Sequence, residues 1–202
     1  MNNTSKVLIG VLAIIAILSM STCGTYNNLV NLDENVNGAW SQVENQYQRR
    51  LELIPNLVET VKQYTAYERE TFEAVTLARA EATKTEIKVD PSNMNAKSLQ
   101  QFYQAQDGLT AALGKLMVVM EKYPELKANE QFLSLQAEIA GTENRIAVER
   151  QNFIKSVKSY NKSIRRFPNV VVAGMFGFDK ITYFESDLGA SEAPSVKEAF
   201  NE

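Results

Sequence analysis

The chain has 202 residues, 21 basic and 24 acidic side chains, a formal net charge of -3, no histidine and one cysteine. The length suits one domain, and the near-balanced charge argues against a protein that binds duplex nucleic acid. The missing histidines exclude Ser-His-Asp and Cys-His catalysis, His-ligated zinc and Glu-x-x-His di-iron sites, and Cys23 alone cannot close an intramolecular disulfide. We therefore expect no catalytic residue, cofactor or metal, and no enzyme.

The first element in chain order is an apolar segment near the N-terminus. Twelve of the fourteen residues 7–20 are apolar, and no charged residue lies between Lys6 and Asp33. A helix that crosses the hydrocarbon core needs about 20 residues, with a minimum near 17. We expect an uncleaved membrane anchor at 7–26 behind a short segment at 1–6. A cleaved secretory signal and a lipoprotein signal ending at Cys23 are the alternatives.

The basic residues on either side of this span predict its orientation. Lys6 and the terminal amine precede it, whereas the first basic residue after it is Arg49. Basic residues close to a span favour the cytoplasmic side. The sequence therefore favours a cytoplasmic N-terminus and places residues 27–202 outside the cytoplasm.

Past the span, apolar side chains recur in alternate steps of four and three residues. This period is typical of helix faces that pack against other helices, as in coiled coils. The first stripe consists of Val36, Trp40, Val43, Tyr47, Arg50, Ile54, Leu57, Val61, Tyr64, Glu68, Thr71, Val75 and Ala78. The last consists of Phe132, Leu135, Ile139, Glu143, Ile146, Arg150, Phe153, Val157, Tyr160, Ile164 and Phe167. A shorter set between them consists of Leu99, Phe102, Tyr103, Leu109, Leu113, Leu116, Met117 and Met120.

Prolines divide these stripes into helices. Pro91 lies in a polar loop, Pro124 parts the third helix from the fourth, and Pro168 ends the last. The pattern predicts an all-α protein, with a long up-and-down antiparallel four-helix bundle at 27–168 that grows out of the membrane span.

One proline falls inside a stripe. Pro55 has no backbone N–H and its ring crowds the preceding turn, so proline inside a helix kinks or breaks it. We therefore expect residues 27–88 to form two helical segments, kinked or broken near Leu53.

The C-terminal part is apolar at first and then polar. Residues 170–172 are the only strong β-branched run, and residues 174–178 with Tyr183 and Phe184 continue an apolar extension at 169–188 that is too short to span a bilayer. It either folds back over one end of the bundle or docks on a partner. Residues 189–202 have the composition of a flexible tail.

Several blocks of residues resemble the LemA family over about residues 7–185. The most specific is Arg49-Arg50-x-x-Leu53-Ile54-Pro55-Asn56-Leu57-Val58. Others are Tyr26-Asn27-Asn28-Leu29-Val30, Ala39-Trp40-Ser41-Gln42, Ala78-Arg79-Ala80, Glu121-x-Tyr123-Pro124, Thr142-Glu143-Asn144-Arg145-Ile146-Ala147, Tyr160-Asn161 and Phe167-Pro168. The resemblance implies a single-pass bacterial membrane protein with a four-helix bundle and no established enzymatic activity.

Four charged residues interrupt the two long stripes. Arg50 and Glu68 lie in the first stripe, and Glu143 and Arg150 lie in the last. A buried charge without a partner is costly, so these should pair across the bundle. They either set the register of the helices or line a cleft that binds a polar ligand.

Basic residues collect near the end of the last helix. They are Lys155, Lys158, Lys162, Arg165 and Arg166. They either form a solvated face favoured by the helix dipole or contact anionic lipid headgroups. Lipid contact requires this helix end to point back to the membrane; otherwise an acidic protein partner fits better.

The function predicted from these features is a non-catalytic interaction or scaffold module at the bacterial cell envelope. The alternative is a ligand-sensing domain with the charged residues in a cleft, which signals through a partner. An enzyme that uses Glu68 and Glu143 has no support in their spacing. The expected partners are the lipid bilayer and an unidentified protein, and no nucleic acid.

Overall fold

A computed structural model of the chain describes residues 3–63, 69–86 and 96–183. These ranges contain six helices and no strand. The helices are α1 (Asn3–Lys62), α2 (Arg69–Glu86), α3 (Ala96–Met120), α4 (Pro124–Lys127), α5 (Glu130–Ile164) and α6 (Asn169–Phe176). The predicted all-α class is confirmed.

Helix α1 runs without interruption from the apolar N-terminal segment into the bundle. At about 1.5 Å per residue, its 60 residues extend about 90 Å. The described side chains of residues 7–20 are exposed, and the first buried one is Leu29. Within the described residues, α1 is the one helix long and apolar enough to cross a membrane.

The bundle helices alternate in direction. Helix α5 runs antiparallel to α1, because Trp40 packs against Phe153 and Arg50 against Glu143. Helix α2 also runs antiparallel to α1, since Lys62 at the end of α1 lies over the ring of Phe72 near the start of α2, and Arg79 further along α2 contacts Leu51. Helix α3 packs mainly against α2 and returns in the direction of α1. In the bundle, α1 therefore runs up, α2 down, α3 up and α5 down. The C-terminal end of α5 lies at the end of the bundle where α1 enters it.

The predicted stripes form the core. In α1 every stripe residue from Val36 to Val61 is buried, and the indole of Trp40 packs edge-on against Phe102 and Phe153, with ring centroids 5.5 and 5.2 Å apart. Tyr64 and Glu68 lie outside the described residues. One stripe residue was predicted wrongly. Phe167 is 84% exposed, because α5 ends three residues before it.

The predicted break near Leu53 is wrong, because α1 continues through Pro55 to Lys62. Pro55 cannot donate to the carbonyl of Leu51, the acceptor four residues earlier. Arg79 in α2 supplies the missing donor: its Nε donates to the Leu51 carbonyl at 2.9 Å. A tertiary contact thus satisfies the acceptor that Pro55 leaves free. The two segments in this region are instead parted by residues 63–68.

The boundary predicted at Pro124 agrees with the helix ends: Pro124 begins the one-turn helix α4, and the side chain of Asn129 accepts from the amide of Phe132 at the start of α5. Pro168 does not end the last helix, because α5 ends at Ile164 and α6 follows Pro168. The loop predicted around Pro91 lies outside the described residues. The β-branched run 170–172 lies in α6, which ends at Gly177 with a φ of 76°. This left-handed conformation favours glycine.

We expect the Arg79 contact to stabilise the bundle only when Pro55 is present. Arg79→Met should lower the free energy of unfolding by about 1–2 kcal/mol, the contribution of a hydrogen bond from a charged donor. In a Pro55→Ala background the loss should fall below about 0.5 kcal/mol, because the new amide at position 55 donates to Leu51. Urea unfolding of the full chain in detergent, followed by the emission of Trp40, measures both values; the chain has one tryptophan.

Arg69→Met is the matched control. Arg69 also lies in α2, but its side chain is exposed, and its partner among the described residues is Glu73, four residues along the helix. Arg69→Met should leave the free energy of unfolding nearly unchanged both with Pro55 and in the Pro55→Ala background. Equal losses for Arg79→Met with and without Pro55 would show that the guanidinium does not replace the missing donor.

Candidate functional site

Arg50 lies at the centre of the bundle with 1% of its surface exposed. Its Nη1 donates to Glu143 Oε1 on α5 at 2.6 Å and to Thr110 Oγ1 on α3 at 2.9 Å. Its Nη2 donates to both the side-chain and the backbone oxygen of Gln106, also on α3. One guanidinium on α1 therefore joins three helices. We call Arg50, Gln106, Thr110 and Glu143 the arginine node.

The Arg50 guanidinium in the node is both buried and neutralised by a carboxylate. Glu143 keeps 36% of its side chain exposed, so its carboxylate is hydrated on one side while it neutralises the buried guanidinium. The guanidinium carbon also lies 5.1 Å from the ring centre of Tyr47, and burial raises the pKa of Tyr47 far above its ordinary value. A cation held by this many acceptors tolerates burial, whereas a shift of any of the three helices would break its bonds.

Two buried donors of the node lack a partner within the described residues. They are Nε of Arg50 and Nε2 of Gln106. Sequence reasoning missed both Gln106 and Thr110. The signal for Gln106 was its position, four residues after Phe102 and three before Leu109, which places it on the buried face of α3.

The other members of the predicted charged quartet are not part of this node. The guanidinium of Arg150 lies 4.4 Å from the ring centre of Tyr103. Burial raises the pKa of Tyr103, and Arg150 acts in the opposite direction. Glu68 lies outside the described residues. The structure thus brings together Arg50 and Glu143, and it pairs Arg150 with an aromatic ring.

The predicted basic residues lie at the end of the bundle where α1 enters it. A groove of about 380 Å³ there is lined by Lys158, Asn161, Lys162, Arg165, Arg166, Lys180 and Tyr183. Lys155, the fifth predicted residue, is exposed on α5 but does not line the groove. Because α5 runs antiparallel to α1, this basic groove is at the same end of the bundle as the apolar span.

The segment after α6 forms one wall of the basic groove. The side chain of Asn161 donates to the carbonyl of Ile181 at 2.8 Å and accepts from its amide at 3.0 Å. Phe178, Ile181 and Tyr183 pack against the core at this end. The neighbouring Tyr160 is neutral, because burial, with a smaller effect of nearby carboxylates, raises its pKa to about 12.

A second groove of about 470 Å³ lies at the opposite end of the bundle, beside Pro55. Its lining residues are Ile54, Pro55, Val58, Glu59, Lys62, Thr76 and Arg79. Neither groove is lined by the predicted quartet. Within the described ranges, no three His, Cys, Asp or Glu side chains are grouped to hold a metal ion.

We expect Arg50 and Glu143 to be energetically coupled. A double-mutant cycle with Arg50→Met and Glu143→Gln should give a coupling of about 1–2 kcal/mol, because each single change leaves a polar partner unsatisfied. Urea unfolding of the full chain in detergent, followed by Trp40 emission, measures it.

The adjacent pair Arg49 and Glu138 is the matched control. Its charges are 3.9 Å apart and about half exposed on both sides, so its coupling should stay below about 0.5 kcal/mol. Equal coupling for the two pairs would contradict the proposed importance of burial at Arg50.

Asn161→Ala should release the segment at 178–183. The change removes two hydrogen bonds, together worth about 2 kcal/mol, so hydrogen exchange of the Ile181 amide should rise by at least about tenfold. Mass spectrometry of peptides from this segment measures the rate. Asn152→Ala, on the exposed face of the same helix, is the control and should leave it unchanged. Unchanged exchange in Asn161→Ala would mean that Asn161 does not hold the segment.

Known proteins are similar in sequence to this chain over most of its length. Magnetosome protein MamQ 1 of Paramagnetospirillum magneticum is 26% identical over 94% of this chain and 73% of its own. Magnetosome protein MamQ of Magnetospirillum gryphiswaldense is 27% identical over 93% and 74%. Protein LemA of Metamycoplasma hominis is 22% identical over 81% and 70%.

The profile of the LemA family matches residues 39–197. This range contains the arginine node, the contact of Arg79 with Leu51, and the basic groove. It is also well over half of the sequence, which confirms the resemblance seen in the sequence blocks. The chain belongs to the LemA family.

Proposed function

We propose that this chain is a membrane-anchored, non-catalytic interaction module of the bacterial cell envelope. The observation that supports it best is the continuity of α1, whose described side chains at 7–20 are mostly apolar and all exposed, and which is packed in the bundle from Leu29 on. A helix without a break between anchor and bundle couples the two rigidly. Such a module presents its surface at a height above the membrane that the length of α1 sets.

The use of the buried polar groups also favours this function. Arg50 donates its hydrogen bonds to α3 and α5 of its own bundle, and Arg79 donates to a backbone carbonyl of α1. These contacts hold helices in register, as a buried polar residue does in a coiled coil. Two of the relatives are named as magnetosome proteins.

The ligand-sensing alternative has weaker support. It requires the charged quartet to face an open cleft, whereas Arg50 and Glu143 are bonded to each other and Arg150 lies on Tyr103. We retain residues 7–26 as the anchor and 27–168 as the bundle, and we propose that the bundle lies outside the cytoplasm, as the charges around the span favour.

Site-specific photocrosslinking in intact membranes tests the interaction function. A photoreactive amino acid would replace, one at a time, Leu77 on α2, Val118 on α3, and Leu133 and Val148 on α5, which are all exposed on the bundle. A partner that docks on one face should give a discrete adduct from that face and none from the others.

One comparison controls for burial. Ala111 on α3 is exposed and its neighbour Ala112 is buried, so a photoreactive group is introduced at each. For a partner that docks on this face of α3, only position 111 should yield the adduct. The absence of a discrete adduct from every exposed position would contradict an interaction module.

A further inference from the structure

Among the described residues outside the span, the largest group of exposed apolar side chains surrounds α6. Phe167, Val170, Val171, Met175 and Phe176 all lie in or just before this helix, and about half or more of each is exposed. Other large exposed apolar side chains of the bundle occur singly. A contiguous apolar patch of this kind on a folded domain marks a surface that another apolar phase covers.

The opposite side of α6 packs on the bundle. Val172 and Ala173 are buried in the core at the end where α1 enters, and Phe178 covers the same core behind Gly177. The apolar residues of α6 are therefore divided between an inner face that packs and an outer face that does not. Folding of the apolar extension back over the bundle, one of the two predicted alternatives, therefore accounts for the inner face of α6 but not for its outer face.

Contacts with α1 place the outer face at the level of the membrane. The ring of Tyr26, the last residue of the expected span, lies 4.9 Å from the ring of Phe176 and 5.6 Å from that of Phe178. Tyrosine is favoured at the boundary between headgroups and hydrocarbon. Because α6 is in contact with the residue at which α1 leaves the hydrocarbon, its exposed face lies beside the bilayer surface.

The charges around the patch complement a lipid surface. Lys162, Arg165 and Arg166 are exposed directly before α6, and Lys180 follows it. No acidic residue occurs between Arg150 and Phe178. An apolar face bordered by cations is the pattern of helices that lie in the plane of a membrane with anionic lipids.

We propose that α6, with Phe167, lies in the interface of the same leaflet from which α1 emerges, and that Lys162, Arg165 and Arg166 contact anionic lipid headgroups there. This inference rests on the proposed membrane anchor and adds a second, in-plane contact to it. The bilayer is the single occupant of the patch. The bundle is then held to the membrane at two points.

Spin labels on single cysteines test the depth of α6. In a Cys23→Ser background, the full chain is placed in nanodiscs of phosphatidylcholine and phosphatidylglycerol and labelled at V171C, V148C or I14C. Val171 and Val148 are matched, because both are valines with 54% and 55% exposure, but Val148 lies in the middle of the bundle. Ile14 lies in the span. Unchanged Trp40 emission verifies that each variant is folded.

Collisions with oxygen, which concentrates in lipid, are compared with collisions with a water-soluble nickel complex. The label at 171 should collide more with oxygen than with nickel, as the label at 14 does, and the label at 148 should show the reverse. If 14 is in lipid and 171 behaves like 148, the inference about α6 is overturned while the anchor stands. If neither is in lipid, the anchor itself fails. Protection of 171 from both reagents means that protein covers the patch, which also overturns the inference.

A charge variant tests the headgroup contacts. R165Q/R166Q should reduce the ratio of oxygen to nickel collisions at 171 by at least twofold in nanodiscs that contain phosphatidylglycerol. The matched control, K115Q/K122Q, removes the same charge from exposed residues toward the opposite end of the bundle and should leave the ratio unchanged. An equal ratio in both double variants would show that these cations do not contact headgroups.

Discussion

The fold depends on one helix, α1, whose first part has side chains suited to lipid and whose second part has side chains suited to a protein core and water. The first part of α1 has apolar side chains on all faces and no protein around it, whereas the part after Leu29 buries one stripe and exposes the rest. Because backbone hydrogen bonds within a helix need no partner from the surroundings, the same helix suits both lipid and water. The other helices have only to cover the stripe of its second half.

Two arginines allow α1 to stay continuous and in register. Arg79 bonds the Leu51 carbonyl, which Pro55 leaves without a donor, and Arg50 bonds polar groups on α3 and α5. The two contacts involve neighbouring residues of α1, Arg50 and Leu51. Burying a guanidinium is unfavourable unless its acceptors are in place, so each contact penalises a shifted arrangement more than it stabilises the native one. The two contacts therefore contribute more to the specificity of helix packing than to the stability of the native bundle.

The sequence allowed the architecture to be predicted better than the polar contacts. Trp40, Phe102 and Phe153 repeat with the period of a packed helix, which is a local property of the chain, and Pro124 marks a boundary for local steric reasons. By contrast, the outcome at Pro55 depended on a side chain from another helix. The pairing of Arg50 with Glu143, rather than with another acid, depended on the order of the helices, which periodicity does not contain. The exposed face of α6 could not be predicted from the sequence for the same reason, because only tertiary packing decides which apolar residues are covered.

The length of α1 also gives it the geometry of a lever. From Tyr26 to Lys62 the helix extends about 54 Å, and the groove beside Pro55 lies near its far end. A tilt of the span by about 10° would carry that end sideways by about 9 Å, since the helix does not break between them. Changes in bilayer thickness alter the tilt of single spans. With the proposed anchor at residues 7–26, a small change in bilayer thickness would be converted into a displacement of several ångströms at the groove beside Pro55.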